Sequence, residues 1–200
     1  MKIEIISGSA RTNSITKRIA LHLSKLLKET TNHEVGLIDA HEWNLPLLES
    51  VFKSVDTTPT EFKPLAKRMF EADAFILVSP EYNGSYSPAL KNLLDYFPKQ
   101  HHKPFGIVTG STGALGGVRA TQQMLLLVSA LFGIASPYLL IVPHADKKFD
   151  AQGNLLEQVF QNSIHNFMTE YLWLAENLKP QSPPIGGELK LQKSLSNDKG

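Results

Sequence analysis

The stretch from residue 74 to residue 97, AFILVSPEYNGSYSPALKNLLDYF, decides the fold class. Its first six residues, Ala74–Ser79, form an almost unbroken apolar run, which is typical of a strand covered on both faces in a parallel sheet. A loop follows, and Ser87 and Pro88 then match a helix N-cap with proline at the first helical position. Leucines at helical spacing continue that helix. The stretch therefore predicts a strand, a loop and a helix in succession.

The same alternation extends in both directions along the chain. Further strands are predicted at Lys2–Ser7, Glu34–Asp39, Phe105–Thr109 and Tyr138–Val142. Helices are predicted at about 13–29, 60–72, 118–131 and 154–177. Five strand–helix units in series predict an α/β fold with a doubly wound parallel sheet and helices on both faces. The segment His41–Pro59 has no period but many large apolar residues, so we expect it to cover the sheet or to meet a partner subunit.

Length and composition limit the classes of protein that fit. The 200 residues suit one domain, expected over 1–178, and the Pro-, Gly- and Lys-rich end, 179–200, is expected to be a disordered tail. A net charge of +1 argues against binding to nucleic acid. The absence of cysteine excludes disulfides and thiolate chemistry, and no apolar run is long enough to span a membrane. We therefore expect a cytoplasmic protein with no membrane partner.

A metal site is not expected among the seven histidines. His101 and His102 are the only close pair, and adjacent residues cannot both face one ion on a regular element. His144 follows the fifth strand at the end of the sheet where ligands bind, but a loop position explains it more simply.

The loop after the first strand has the composition of a phosphate-binding loop. Gly8 and Arg11 are accompanied by four hydroxyl residues, namely Ser9, Thr12, Ser14 and Thr16. A phosphate there would meet the N-terminal amides of a helix. Simple helix capping by Asn13 or Ser14 explains one residue but not the whole set. No G-x-G-x-x-G or Walker pattern is present, which favours a mononucleotide over a dinucleotide or ATP.

Two further loops lie at the same end of the sheet. Pro80–Ser85 (PEYNGS) suits either a flat heterocycle beside Tyr82 or a tight Asn-Gly turn, and the residues alone leave both open. The loop Gly110–Gly117 has four glycines in eight residues, which suits close approach of the backbone to a ligand as well as a flexible entry to a helix.

Taken together, three motifs resemble the NADPH-dependent FMN reductase family. They are G-S-x-R-x-x-S at Gly8–Ser14, S-P-E-Y-N-G-S-x-S-P-x-L-K-N-x-x-D at Ser79–Asp95 and S-T-G-x-x-G-G at Ser111–Gly117. The similarity spans about residues 1–177. It implies a flavodoxin-like three-layer fold with a five-stranded parallel sheet of order 2-1-3-4-5, and a homodimer or homotetramer.

The resemblance also implies a set of FMN-binding residues. Ser9, Arg11, Ser14 and Thr16 would hold the FMN phosphate, with Ile15 beside them. The isoalloxazine would be lined by Pro80, Glu81, Tyr82, Asn83 and Gly84, mostly through the main chain, and approached by Ser111, Thr112 and Gly113. No catalytic side chain is assigned, because the flavin itself carries the chemistry.

The function predicted from this resemblance is transfer of hydride from NADPH or NADH to bound FMN and then to a second, small-molecule acceptor. Candidate acceptors are flavin, quinones, azo compounds and metal oxyanions. The alternative is a flavodoxin-type FMN electron carrier without NAD(P)H turnover. Carriers of that type are usually strongly acidic and have no arginine in the phosphate loop, whereas this chain is nearly neutral and has Arg11 there.

Overall fold

Parallel strands form a single sheet in the computed structural model, which describes residues 1–178. The strands are β1 Lys2–Ser7, β2 Glu34–Asp39, β3 Ala74–Pro80, β4 Pro104–Gly110, β5 Ile134–Ala135 and β6 Leu140–Val142. Their order is β2-β1-β3-β4-β5, and β6 also pairs with β4, which confirms the predicted order 2-1-3-4-5. The predicted tail, 179–200, lies outside the described residues, so the domain boundary at residue 178 stays a prediction.

Helices connect and cover the strands. They are α1 Ile15–Thr30, α2 Lys63–Glu71, α3 Pro88–Asp95, α4 Val118–Ala130, α5 Ala145–Lys148 and α6 Gln161–Asn177. Ser14 caps α1 and Ser87 caps α3, each by accepting a hydrogen bond from a first-turn amide. Pro64 lies in the first turn of α2, where its missing N–H costs no intrahelical bond.

The sheet separates two apolar layers. On one face, α1 and α6 bury residues such as Leu23 and Phe167 against β1, β3, β4 and β6. On the other face, α2, α3 and α4 bury residues such as Met69, Leu93 and Met124. Because β3 and β4 are covered on both sides, six of the seven residues of β3 and all of β4 are buried. The molecule is therefore the predicted three-layer arrangement with helices on both faces.

Two predicted elements differ from the observed ones. The fifth strand, predicted as Tyr138–Val142, is shorter and corresponds to β6, and the two-residue strand β5, which was not predicted, precedes it with residues 136–139 between them. The last helix was predicted from residue 154 but begins at Gln161, after a short 3-10 turn at Gln158–Phe160. The apolar side chains of Leu156 and Val159, which suggested the earlier start, are exposed.

The segment between β2 and α2 divides into a packed part and an exposed part. Trp43, Leu45 and Phe52 pack against the core that contains α2, α3 and α4, as expected for a segment that covers the sheet. Leu47 and Val51 point outward, and Leu47 is 85% exposed. The carbonyl of Pro46 accepts hydrogen bonds from the Asn92 side chain and from the Tyr96 hydroxyl, which anchors the segment to α3 and its C-terminus.

Candidate functional site

A cavity of about 180 Å³ opens where the carboxyl ends of β1, β3 and β4 meet. These strands are neighbours in the sheet, so the loops that follow them lie side by side at the edge where open α/β sheets bind ligands. The cavity is lined by Ser9, Arg11, Asn13, Ser14, Ile15, Thr16, Pro80, Glu81, Tyr82, Gly110, Ser111 and Thr112. Most of the predicted site residues are thus brought together in one place.

Three predicted site residues lie outside this lining, and two lining residues were missed. Asn83 lines a neighbouring cavity, Gly84 faces Arg119 of α4, and the amide of Gly113 is bonded to the Ser111 hydroxyl. The sequence identifies Asn13 only as a candidate helix cap and Gly110 only as part of a glycine-rich loop. The pairing of Gly110 with Pro80 across β3 and β4 is what brings Gly110 into the cavity, and pairing register is not visible in one motif.

The first loop presents buried hydroxyls to the cavity. Ser9, Ser14 and Thr16 are each less than 8% exposed although all three line the cavity. Ser14 Oγ accepts from the Lys17 amide at 3.2 Å and lies 3.0 Å from Thr16 Oγ1. Ser14 is therefore both the helix cap and a cavity residue, so its capping role does not exclude contact with a ligand.

Gly8 fixes how this loop leaves the sheet. Its amide donates to Val78 O at 2.8 Å, and its carbonyl accepts from the Ser87 hydroxyl. A Cβ at this position would lie 2.8 Å from the Cβ of Leu90, so only glycine fits. The first loop is in this way tied to the N-terminus of α3.

The second loop is a tight turn that carries an aromatic ring. Tyr82 and Ser85 exchange backbone hydrogen bonds of 2.8 and 3.1 Å, and the two residues between them, Asn83 and Gly84, have φ of 52° and 83°. These values match the Asn-Gly turn that the sequence allowed. The Arg11 guanidinium lies 4.9 Å from the centre of the Tyr82 ring, which joins the first and second loops.

The third loop needs glycine at its end. Gly116 has φ of 60° and Gly117 has φ of 90°, and a Cβ on Gly116 would lie 2.7 Å from the backbone nitrogen of Pro143. His144 supports the loop from outside, because its Nδ1 lies 3.0 Å from Thr112 O and its amide donates to Gly113 O. Since a carbonyl only accepts, Nδ1 carries the proton in this contact. His144 is therefore a support of the loop and does not line the cavity.

A second, wider cavity of about 820 Å³ adjoins the first across the Tyr82 turn. It shares Arg11, Glu81 and Tyr82 with the first and is also lined by Asn83, Ser85, Tyr86, Ser87, Pro88 and Lys91. Burial raises the pKa of Tyr86, which keeps that phenol neutral. Lys91 forms an ion pair with Asp95 one turn along α3, whereas Arg11 has no carboxylate partner among residues 1–178.

Within residues 1–178, no group of three or more His, Asp or Glu side chains is arranged to hold a metal ion. No helix in the same part of the chain has the length and apolar character needed to cross a membrane.

A parallel sheet of order 2-1-3-4-5, with a polar cavity formed by three loops at its carboxyl edge, defines a protein of the flavodoxin-like class. Comparison with known proteins gives the family. The family model for NADPH-dependent FMN reductase matches residues 1–147. A curated relative, the FMN-dependent NADPH-azoreductase of Staphylococcus aureus (strain USA300), is 31% identical over 183 residues, which cover 88% of this chain and 96% of that protein.

Solved structures agree on the fold. FerB, a flavoenzyme NAD(P)H:(acceptor) oxidoreductase from Paracoccus denitrificans, superposes with a TM-score of 0.73 at 21% identity, over 90% of this chain and 99% of that chain. A variant of flavodoxin from Pseudomonas aeruginosa superposes with a TM-score of 0.55 at 19% identity, over 86% and 99% of the two chains. The chain belongs to the NADPH-dependent FMN reductase family, and it is an NAD(P)H-dependent oxidoreductase whose cofactor is FMN.

The cavity residues fit a phosphorylated flavin. The first turn of α1 contains no acidic residue, and its leading amides have no partner inside the helix. Buried hydroxyls and an unpaired guanidinium stand beside those amides, so the donor set suits an anion. The second and third loops contribute backbone groups and the Tyr82 ring, which suit a flat polar heterocycle.

Proposed function

We propose that the first loop holds the phosphate of FMN. Ser9, Ser14 and Thr16 supply hydroxyl donors, Arg11 supplies a charge-assisted contact, and Ile15 supplies a first-turn amide of α1. The observation that carries this proposal is the presence of three buried hydroxyls in a cavity at a helix N-terminus without an acidic residue. Ser9 Oγ and Ser14 Oγ already accept bonds from the Arg11 and Lys17 amides, and a hydroxyl that accepts in this way can still donate its hydrogen to a phosphate oxygen.

The flavin ring would then lie between the second and third loops. Pro80, Glu81, Tyr82, Asn83 and Gly84 form one side, and Ser111, Thr112 and Gly113 form the other. When bound, FMN supplies the hydride and electron transfer chemistry. The role of these residues is to orient the ring, to exclude water from one side and to offer main-chain donors to the charge that develops on reduction.

An FMN titration of wild-type protein and of Arg11→Ala tests the phosphate assignment. We expect Arg11→Ala to weaken FMN binding by about 1–3 kcal/mol, because a charge-assisted hydrogen bond and the contact with Tyr82 are lost together. Lys28→Ala, which removes an exposed cation at the other end of α1, is the matched control and should not change the affinity. Equal affinities of wild type and Arg11→Ala would show that the phosphate lies elsewhere.

We also propose that small aromatic acceptors, such as azo compounds and quinones, reach the flavin through the second cavity. The two tyrosine rings, Tyr82 and Tyr86, support this assignment, as does the azoreductase activity in the name of the Staphylococcus aureus relative. Lys91, which is exposed beside this cavity, favours acceptors that carry a negative group. Free flavin and metal oxyanions remain candidate acceptors on the same chemistry.

Steady-state rates with a neutral naphthoquinone and its sulfonated counterpart test the acceptor site. In the wild type we expect the sulfonated compound to have the larger kcat/KM at low salt, and high salt should remove the difference. Lys91→Glu should lower the ratio of the two kcat/KM values about fivefold, and the control Lys28→Glu should leave the ratio unchanged. A ratio that Lys91→Glu does not alter would remove the second cavity from the acceptor path.

A homodimer or homotetramer is proposed as the assembly. The exposed apolar side chains Leu47, Leu48 and Val51 lie in the segment between β2 and α2 and support an interface there. Light scattering of wild type and of Leu47→Asp tests this arrangement. We expect the variant to dissociate to a smaller species, and a wild type that elutes as a monomer would contradict it.

A further inference from the structure

The carboxylate of Glu81 joins the second loop to the start of α4. Its Oε2 accepts hydrogen bonds from the backbone amides of Arg119 and Ala120, at 3.1 and 3.4 Å. Its Oε1 lies 3.7 Å from Nη1 of the Arg119 side chain. Glu81 lines the first cavity, yet both of its oxygens are directed to a helix that begins 37 residues further along the chain.

Helix α4 has no cap of its own. Its N-cap residue is Gly117, which has no side chain to accept a bond, and its first turn contains no acidic residue. The first amides of any helix lack intrahelical partners, and a carboxylate near them also offsets the positive end of the helix dipole. Glu81 therefore performs from another loop the capping that a serine or aspartate performs at the start of most helices.

Close packing leaves this connection little freedom. The Glu81 side chain is only 16% exposed. A Cβ on Gly117 would lie 2.9 Å from the Cβ of Thr109 and 3.6 Å from the Cβ of Glu81. Glycine at position 117, which also has φ of 90°, thus allows the second loop, the end of β4 and the start of α4 to meet.

We propose that Glu81 is a positioning residue that sets the separation between the second and third loops and the charge beside the flavin ring. The proposal rests on the proposed function, in which the ring lies between these loops. As a cap, Glu81 holds the loops at a fixed distance. As a negative charge, it offsets the N-terminus of α4 and Arg119, which would otherwise favour the charge that reduction adds to the ring.

Two substitutions separate the effect of the hydrogen bonds that Glu81 accepts from the effect of its negative charge. Glu81→Ala removes both, so FMN affinity should fall about tenfold. Glu81→Gln keeps a side-chain oxygen that can accept from the Arg119 amide, so FMN affinity should stay within about threefold of the wild type. The same Gln variant should bind reduced FMN about tenfold more tightly relative to oxidised FMN. For a two-electron couple this corresponds to a midpoint potential about 30 mV more positive.

The measurements are an FMN titration and the midpoint potential of the bound FMN, determined by equilibration with a reference dye. Glu29→Gln, an exposed acid near the far end of α1, is the matched control and should change neither quantity. An unchanged potential in Glu81→Gln would overturn the proposal, whether or not the affinity changes. If Glu81→Ala does not fold, Glu81→Gln carries the test alone. A wild type that binds no FMN would refute the proposed function itself, before any variant is compared.

Discussion

At the scale of single residues, two buried tyrosines differ in the hydrogen bonding of their hydroxyls, so removal of each hydroxyl should change stability in the opposite direction. Tyr171 is fully buried beside Phe167, its hydroxyl has no hydrogen-bond partner among the described residues, and burial raises its pKa. The Tyr96 hydroxyl, in contrast, donates to Pro46 O at 3.2 Å. We expect Tyr171→Phe to raise the free energy of unfolding by about 1 kcal/mol and Tyr96→Phe to lower it by a similar amount. Urea denaturation of both variants checks this, and a destabilised Tyr171→Phe would contradict it.

Lys103 is a residue whose stability contribution depends on pH. Burial lowers its pKa to about 8 in the folded protein, where its ammonium donates to the Gln100 side chain and lies 5.4 Å from the Phe75 ring centre. The unfolded chain holds the proton up to a pKa of about 10.4. Between these values the unfolded state binds more protons, so the free energy of unfolding rises with pH from about 8 to 10.4.

Lys103→Met should remove this dependence. At pH 7 the variant should unfold with a free energy about 1–2 kcal/mol higher than the wild type, because the cost of burying the charge is relieved. At pH 10 the difference should be smaller. Lys28→Met, at an exposed position, serves as the control in the same denaturation series. A difference between variant and wild type that is constant with pH would refute the expected titration.

At the scale of elements, an ion pair between β1 and α2 makes a contribution to the free energy of unfolding that can be measured. Arg68 donates to Glu4 through Nε at 2.9 Å and through Nη2 at 2.5 Å, and Glu4 is 8% exposed. Gly36 on β2 leaves room for the pair, since a Cβ there would lie 2.7 Å from Arg68 Nη2. Arg68→Met should therefore lower the free energy of unfolding by about 2–4 kcal/mol, because Glu4 would be left buried without a partner.

The double variant Glu4→Leu/Arg68→Met completes this test. Replacing both charges removes the unpaired carboxylate, so most of the stability lost in Arg68→Met should return. Thermal or urea unfolding of the two variants gives the comparison. If the double variant is less stable than Arg68→Met, packing of the Glu4 stem and not the unpaired charge governs this contact.

Elements were predictable from the sequence where local pattern and tertiary packing agree. The apolar run of β3 and the cap-proline pair Ser87–Pro88 each determine an element without help from distant residues. The separate strand β5 was not predictable in this way, because it ends before Pro137, which has no amide for the ladder, and depends on how Ser136 bonds to Phe105 across the sheet. Leu156 suggested a helix but is exposed, because burial of an apolar residue depends on the elements around it.

The candidate site, like the helices and strands, was predictable only where the signal lies within one short segment. Hydroxyls and glycines next to strand ends identified the three loops, because their chemistry is local to each loop. Glu81 was expected to act mostly through its main chain, whereas its side chain accepts a bond from the Arg119 amide, 38 positions further along the chain. Such a contact follows from the order of strands in the sheet and from the glycines that let the loops approach, not from any single motif.

At the scale of the whole molecule, the core and the cavity are separate. The two apolar layers lie between the sheet and its helices, while the cavity lies beyond the carboxyl ends of β1, β3 and β4. Substitutions of cavity side chains can therefore change ligand binding without removing residues of the apolar core. Ligand binding in turn stabilises the whole fold, because FMN that binds only the folded state shifts the unfolding equilibrium.

This linkage gives a test of where the phosphate lies. At a free FMN concentration of about 100 times Kd, the free energy of unfolding of the wild type should rise by about 2.7 kcal/mol. Thr16→Val removes one hydroxyl from a cavity residue that is 2% exposed and keeps the shape of the side chain. At the same FMN concentration its gain should be smaller by about 1 kcal/mol. Riboflavin, which lacks the phosphate, should stabilise wild type and Thr16→Val equally when compared at one concentration. Urea denaturation with each ligand measures the four gains, and an equal loss for FMN and riboflavin would place the phosphate away from Thr16.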